Sequence, residues 1–165
     1  MDKNRIKYPD TLAYRSVVES LNSRGISIED IAKITFDNQS SYVEGLTMGM
    51  AISSVDRVMH KREVLNNAMV GFALDDMANE GKLPEPLQTI VSNDIGVFGT
   101  DELLAVGISF LSGMIGVTNF GYIDKIKQGI IKELDTRNNE VTTFSDDIVG
   151  AIASEAGARL AHKDA

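Results

Sequence analysis

The chain has 165 residues, 43% of them apolar and 24% charged, which fits one compact globular domain and excludes wholesale disorder. It contains no cysteine, so disulfides, thiolate metal sites, iron–sulfur clusters and cysteine nucleophiles are excluded together. Sixteen Lys and Arg against 24 Asp and Glu leave a net charge of −8, and no basic run offsets it, so no nucleic-acid partner is expected.

The elements read as helices almost throughout. No apolar run follows Met1-Asp2-Lys3-Asn4-Arg5, so no signal peptide and a cytoplasmic location are expected. Residues 1–9 and 163–165 are expected to be loosely ordered. Leu12, Tyr14, Val17, Val18 and Leu21 follow the spacing of one helix face, which Gly25 ends. Ser27 and Asp30 resemble a capping box ahead of Ile28, Ile31, Ala32 and Ile34. Thr47 could cap a helix carrying Met50, Ala51, Val55 and Val58.

From about Lys61, the residues Val64, Leu65, Ala68, Met69, Phe72, Ala73 and Met77 form the most regular stripe. Gly81 stops it. Pro86 fits the first turn of a short helix through Val91. After a break at Asn93-Asp94-Ile95-Gly96, Thr100 reads as the N-cap of an apolar helix.

Leu103 to Ile123 carries no charge, close to the ~20 residues of a spanning helix. Gly107, Ser109, Ser112, Gly113, Gly116 and Thr118 dilute it, so a buried central helix is the expectation. The final helix starts near Thr143 or Ser145 and is rich in Gly and Ala, as if sandwiched between other helices or against a second subunit. No segment alternates with period two. The fold expected is all-α: a single-domain bundle, residues 1–165, of seven or eight helices.

Several chemistries have no motif here. There is no Gly-x-Ser-x-Gly elbow, no phosphate-binding glycine loop and no calcium loop. His60 and His162 fall at expected helix ends. What stands out is acidic: Asp75-Asp76, Asp101-Glu102 and Asp146-Asp147. The last two pairs open apolar helices, where carboxylates stabilise the helix dipole without any further role. The competing reading is a hard-cation site, because Mg²⁺ takes oxygen ligands and keeps several waters. Asp75-Asp76 lies late in its helix, where a solvated helix end is the expectation. Asp124, Lys125, Lys127 and Lys132 follow the uncharged stretch. A lysine beside cation-binding carboxylates suits a phosphate monoester, and a solvated helix face is the alternative.

These ordered elements resemble the phosphatidylglycerophosphatase A family, and most closely its short, YutG-like Gram-positive branch, some members of which are called low-temperature-requirement protein C. The likeness runs from about Thr47 to His162 and includes Lys61-Arg62-Glu63-Val64, Leu83-Pro84-Glu85-Pro86, Thr118-Asn119-Phe120-Gly121-Tyr122-Ile123-Asp124-Lys125 and Asp146-Asp147-Ile148-Val149-Gly150. In the wider family, an Asp-Glu pair looks like Asp101-Glu102, an Asp followed by Lys looks like Asp124 and Lys127, a basic residue and a later Asp look like Lys132 and Asp135, and an Asp-Asp pair looks like Asp146-Asp147. This chain departs where Gln128 and Ile130 replace prolines, where Gly121 replaces an Arg, and where Glu140-Val141-Thr142-Thr143 replaces a Gly-rich segment.

The resemblance implies Mg²⁺- or Mn²⁺-dependent conversion of phosphatidylglycerophosphate to phosphatidylglycerol. Asp101, Glu102, Asp146 and Asp147 would hold the metal. Lys127, with Lys61 or Arg62, would bind phosphate. Asp124 would be a further ligand or orient Lys127. A phospholipid substrate requires transient contact with a membrane surface, so the location would be cytoplasmic and peripheral. A homo-oligomer, with a tetramer as its form, is also implied. The alternative is a non-enzymatic helical oligomer that kept the fold and lost the chemistry.

Overall fold

The computed structural model describes residues 6–96 and 98–162. The segment behind the signal-peptide expectation, residues 1–5, lies outside the described residues, as do 163–165. Nine α-helices follow in order among the described residues, with no strand: α1 (Asp10–Ser23), α2 (Ile28–Gln39), α3 (Met48–Met59), α4 (Arg62–Asn79), α5 (Leu87–Ser92), α6 (Thr100–Ser109), α7 (Met114–Ile126), α8 (Ile130–Asp135) and α9 (Ser145–Ala161). A 3₁₀ turn, Phe110–Ser112, joins α6 to α7. Residues 6–9 are partly tied down, since the Tyr8 hydroxyl donates to Asn66 at 2.8 Å.

Local signals fix several helix ends. Ser27 Oγ accepts from Asp30 N at 3.1 Å while Asp30 accepts from Ser27 N at 2.9 Å, a complete capping box. Thr47 Oγ1 accepts from Met50 N and starts α3. His60 and His162 are the C-caps of α3 and α9. Thr100 is not the cap of α6. That place belongs to Gly99, whose φ of 71° lies in the left-handed region that glycine tolerates.

The central helix is α9, not the uncharged stretch from Leu103. Of its 17 residues, only Arg159 and Ala161 are not buried. It packs against α2, α3, α4, α6, α7 and α8. Gly150, Ala151, Ala153, Ala156, Gly157 and Ala158 make this possible, because small side chains let neighbouring backbones approach on every side. A Cβ at Gly157 would meet Gln39 at 3.0 Å. Helices around it also bond to its carbonyls: Thr35 Oγ1 donates to Ala153 O at 3.1 Å, and Ser54 Oγ to Ala156 O at 2.9 Å.

The uncharged stretch breaks at Gly113, where φ is 81°. The buried Glu155 of α9 anchors the break by accepting from Ser112 N at 2.9 Å and Ser112 Oγ at 2.7 Å. Beyond the break, Gly116 lets α7 fold back onto α6, because a Cβ there would lie 1.9 Å from Ser109 O. The stretch is not buried throughout: Leu103 is 70% exposed, Met114 66% and Phe110 56%.

The N-terminus of α9 is capped from outside its own chain segment. Asp75, fully buried in α4, accepts from Phe144 N at 3.1 Å, Ser145 N at 2.9 Å and Ser145 Oγ at 2.6 Å. The expectation of a solvated helix end at Asp75 is therefore corrected; only Asp76 is exposed there. Burial pushes the Asp75 carboxyl up to about 7, against the pull of Ser145, Phe144 and Arg24. Arg24 completes the arrangement. Its Nε donates to Ser145 Oγ at 3.0 Å, its Nη2 to Phe72 O and Asp76, and its guanidinium lies 4.8 Å from the Phe72 ring centre.

Two glycines of α7 should respond in opposite directions to alanine. Gly116→Ala drives a Cβ into the Ser109 backbone and should destabilise by about 2 kcal/mol or more. Gly121→Ala meets nothing within 4 Å and should stabilise by roughly 0.5–1 kcal/mol through helix propensity. Urea unfolding of the two variants measures both signs.

Candidate metal centre

Two helix starts meet at one point. Asp101 and Glu102 lie in the first turn of α6, and Asp146 and Asp147 in the first turn of α9. Because α6 packs along α9, carboxylates 45 positions apart in sequence come together. One ligand oxygen each from Asp101, Glu102 and Asp147 lies within 4.8 Å of the others. Asp101 and Asp147 are buried and Glu102 is exposed, so the group opens to solvent on one side.

The donor set fits a hard cation. All three groups offer carboxylate oxygens, which Mg²⁺, Mn²⁺ and Ca²⁺ prefer. Oxygens on opposite sides of Mg²⁺ are about 4.2 Å apart, given bonds of about 2.1 Å, so oxygens within 4.8 Å of one another are on the scale of one coordination sphere. Asp101 Oδ1 is buried without a hydrogen-bond partner, which a cation at this point would supply. Among the described residues no ion pair neutralises Asp101, Glu102 or Asp147.

Charge crowding is visible in the acidities. Burial pushes Asp147 up to about 9, and Asp146, Asp124, Asp101 and Glu102 add repulsion. Burial and its neighbour Glu102 raise Asp101, while the hydrogen bond from Asp101 lowers Glu102. Burial also raises Asp146, to about 6, against the pull of Lys127.

Asp146 points elsewhere. Its Oδ2 accepts from Lys127 Nζ at 3.1 Å, and Lys127 also donates to Asp135 Oδ1 at 2.5 Å. Partial burial works against the ammonium, yet Asp135 and Asp146 together raise its pKa, so Lys127 stays charged. Its φ of 39° places it in the left-handed region at the end of α7, uncommon for a residue other than glycine. The two acidic pairs thus converge as expected, but only three of the four carboxylates share the cation position. The fourth holds a lysine beside it.

The remaining candidates fall as follows. Asp124, in the last turn of α7, is close enough to repel Asp147 but stands outside the trio. It does not orient Lys127; Asp135 and Asp146 do. Lys61 is not brought to the trio. It donates to the buried Glu155 at 2.5 Å, near the opposite end of α9. Arg62 forms a two-pronged pair with Asp10 at 2.7 and 2.9 Å. Lys132 is exposed on α8. Sequence reasoning did not single out Asp94. It follows α5, has a φ of 43°, and feels the charges of Lys127, Asp135, Glu102 and Asp124. A non-glycine residue with positive φ in a break between helices is invisible to periodicity.

The acidities give a pH dependence. Asp75, Asp146 and Asp147 hold protons in the folded state far above the unfolded range near 4, so folding takes up protons in that interval. Their contribution is fully present below about pH 4 and is lost as pH rises through about 6, 7 and 9. The metal-free protein should melt at a higher temperature at pH 5 than at pH 9. Mg²⁺ or Mn²⁺ competes with these protons, so it should raise the melting temperature more at pH 8–9 than at pH 5. Asp147→Asn should abolish most of the metal response. Thermal scans at the two pH values, with and without metal, check this.

The fold is shared with proteins of known structure. The low temperature requirement C protein from Listeria monocytogenes superposes with a TM-score of 0.90 at 44% identity, covering 92% of this chain and 96% of that one. A protein of unknown function from Bacillus stearothermophilus gives 0.89 at 45%, covering 98% of both. Among sequences, the uncharacterised YutG of Bacillus subtilis is 46% identical over 144 residues, 87% of each chain. The uncharacterised YpjQ of the same organism is 45% identical over 144 residues, 87% of this chain and 81% of its own. The family model described as phosphatidylglycerophosphatase A matches residues 23–162, a span that contains the carboxylate trio and Lys127. The chain therefore belongs to the phosphatidylglycerophosphatase A family.

Proposed function

We propose that this protein is a divalent-cation-dependent phosphatase of phosphate monoesters, with phosphatidylglycerophosphate as the lipid substrate that its family suggests. The observation that carries the reading is the convergence of Asp101, Glu102 and Asp147 beside a clamped lysine. A bound Mg²⁺ or Mn²⁺ would neutralise phosphate oxygens and make a bound water more acidic.

The protein's own groups do the rest. Asp101, Glu102 and Asp147 hold the cation position. Asp135 and Asp146 keep Lys127 charged and aimed, so its ammonium can pair with a phosphate oxygen at the mouth of the site. Asp124, outside the trio and less buried than Asp101 and Asp147, is the group that can take a proton from an attacking water. Lys61 and Arg62, engaged with Glu155 and Asp10, are left out of phosphate binding in this reading.

A phospholipid substrate requires a visit to a membrane surface. No described helix is long and apolar enough to cross a membrane, so contact would be peripheral. Self-association is also part of the reading. The Gly/Ala-rich helix is consumed inside the subunit, and exposed apolar side chains on and between α6 and α7, Leu103, Phe110, Met114 and Ile115, are offered to a second copy in this reading.

Purified protein should release inorganic phosphate from phosphatidylglycerophosphate in the presence of Mg²⁺ or Mn²⁺, and EDTA should stop it. Asp147→Asn and Glu102→Gln should each lower turnover on the order of a hundredfold or more. No turnover from metal-loaded wild type would select the non-enzymatic reading. Light scattering should give a multiple of 17.9 kDa for the wild type, and Phe110→Glu should reduce it.

A further inference from the structure

Helices α2 and α7 both pack against α9 but make little contact with each other. Between them lies a cavity of about 400 Å³. One wall is the end of α2 with the turn behind it, and the other is a face of α7. No residue of the carboxylate trio lines it, and neither do Asp135, Asp146 or Lys127.

Charge narrows the ligand first. Asp37 is the one charged side chain in the wall among the described residues, and Lys33 pairs with it at 3.0 Å. No lysine or arginine lines the space, so an anion meets an acidic protein with no local partner. A cation meets a single carboxylate that already has one. The ligand is therefore neutral.

Hydrogen bonding narrows it further. Asn38 Nδ2 on one wall and Asn119 Nδ2 on the other are shielded from water, and neither has a hydrogen-bond partner. The terminal torsion of an asparagine is soft, so a small rotation turns either nitrogen toward a ligand in the cavity. Two unpartnered N–H donors call for an acceptor that the protein does not supply, and the strong neutral acceptor is a carbonyl oxygen. Acceptors are present too. Thr118 Oγ1 donates to Met114 O at 2.9 Å, which leaves its lone pairs free. Ser41 and Gln128 add groups that can act either way.

The apolar part of the wall is aromatic. Tyr42 and Tyr122, one from each side, are 82% and 55% exposed. No aliphatic side chain lines the cavity among the described residues. An acyl chain would leave the amides without partners. A planar base, apolar on both faces, would lie against amides and hydroxyls. A sugar ring has C–H groups on a face and hydroxyls around its edge, which suits tyrosine rings set among polar groups. The volume falls in the range of small-molecule sites, about 300–1,000 Å³.

We propose that this cavity binds a neutral N-acetylated saccharide. The sugar ring lies against the tyrosines. The acetamide carbonyl accepts from the Asn38 and Asn119 amides, and the acetamide N–H donates to Thr118 Oγ1. This site does not depend on the phosphatase reading, and nothing is transferred in it.

Titration of the full-length protein with two disaccharides tests the proposal. N,N′-diacetylchitobiose carries acetamides where cellobiose carries hydroxyls, on the same linked rings. The protein has no tryptophan and four tyrosines, two of which line the cavity, so tyrosine emission reports its occupancy. Chitobiose should change that emission and bind roughly five- to tenfold more tightly than cellobiose, the effect of about one hydrogen bond. Asn119→Ala and Asn38→Ala should each bring the ratio close to one. The two nitrogens bond no protein group, so neither change breaks such a bond in the fold. No response to chitobiose, equal affinity of the wild type for both disaccharides, or an unchanged ratio in both variants overturns the proposal. Tighter binding of adenosine than of chitobiose overturns it as well and assigns the tyrosines to a base. Chitotetraose separates the sources: affinity equal to that of chitobiose supports a short free saccharide, and a gain with length supports the end of a longer glycan.

Discussion

A helix buried on every side must solve three problems at once, and most features of this protein follow from how α9 solves them. Its neighbours must come close, which the Gly and Ala residues from Gly150 to Ala158 allow. Its buried polar groups must be satisfied, since an unpaired one costs about 1–3 kcal/mol and more if charged. Its N-terminal N–H groups, which have no partners within the helix, must be bonded in the interior. Asp75 does this last task from α4, and Arg24 from the residue after α1 locks the same Ser145. Two segments far apart in sequence thereby fix where α9 begins.

That start is where the proposed chemistry sits. Asp146 and Asp147 follow directly after the capped Ser145, so the position of two carboxylates is set by a buried hydrogen-bond network rather than by a surface loop. Helix dipole and carboxylate charge favour each other there. Burial and the facing pair Asp101-Glu102 oppose full ionisation, as the raised acidities of Asp147 and Asp146 express. The arrangement is electrostatically unbalanced toward negative charge at the trio, and one step away Lys127 stands between two acids, Asp135 and Asp146. A divalent cation would offset two of the negative charges at the trio.

The far end of α9 uses similar materials differently. Glu155 is as buried as any residue of the helix, yet Lys61 and Ser112 satisfy it fully. It ties the break between α6 and α7 to the central helix and secures the start of α4. A buried carboxylate with all its partners is a structural tie, whereas Asp101 has an orphaned oxygen and no ion pair, which fits the proposed role as a cation ligand. The contrast between the two ends separates a structural acid from a candidate functional one.

Much was determined by sequence alone. The apolar stripes along α1 to α4 gave an all-helical protein because burial on one face follows the 3.6-residue period. The capping signals at Ser27 and Thr47 are local, so they held. The small-residue run marked α9 as a helix packed closely against others. The acidic pairs and Lys127 were legible as residue types and through the family resemblance. Tertiary structure alone decided the rest, because it depends on which distant groups meet. The uncharged stretch from Leu103 is as apolar as a core helix, yet Gly113 splits it and α9 takes the centre. Lys61 and Lys127 look equally suited to phosphate in sequence, but Lys61 faces a carboxylate 94 positions away, and Lys127 pairs with Asp146, next to the trio's Asp147. Asp75 looked like a solvated helix end until its partners, 69 and 70 positions along the chain, were in place. Hydrophobic period and capping act over a turn or two of chain. Charge pairing and burial act through space, and only the folded protein specifies that distance.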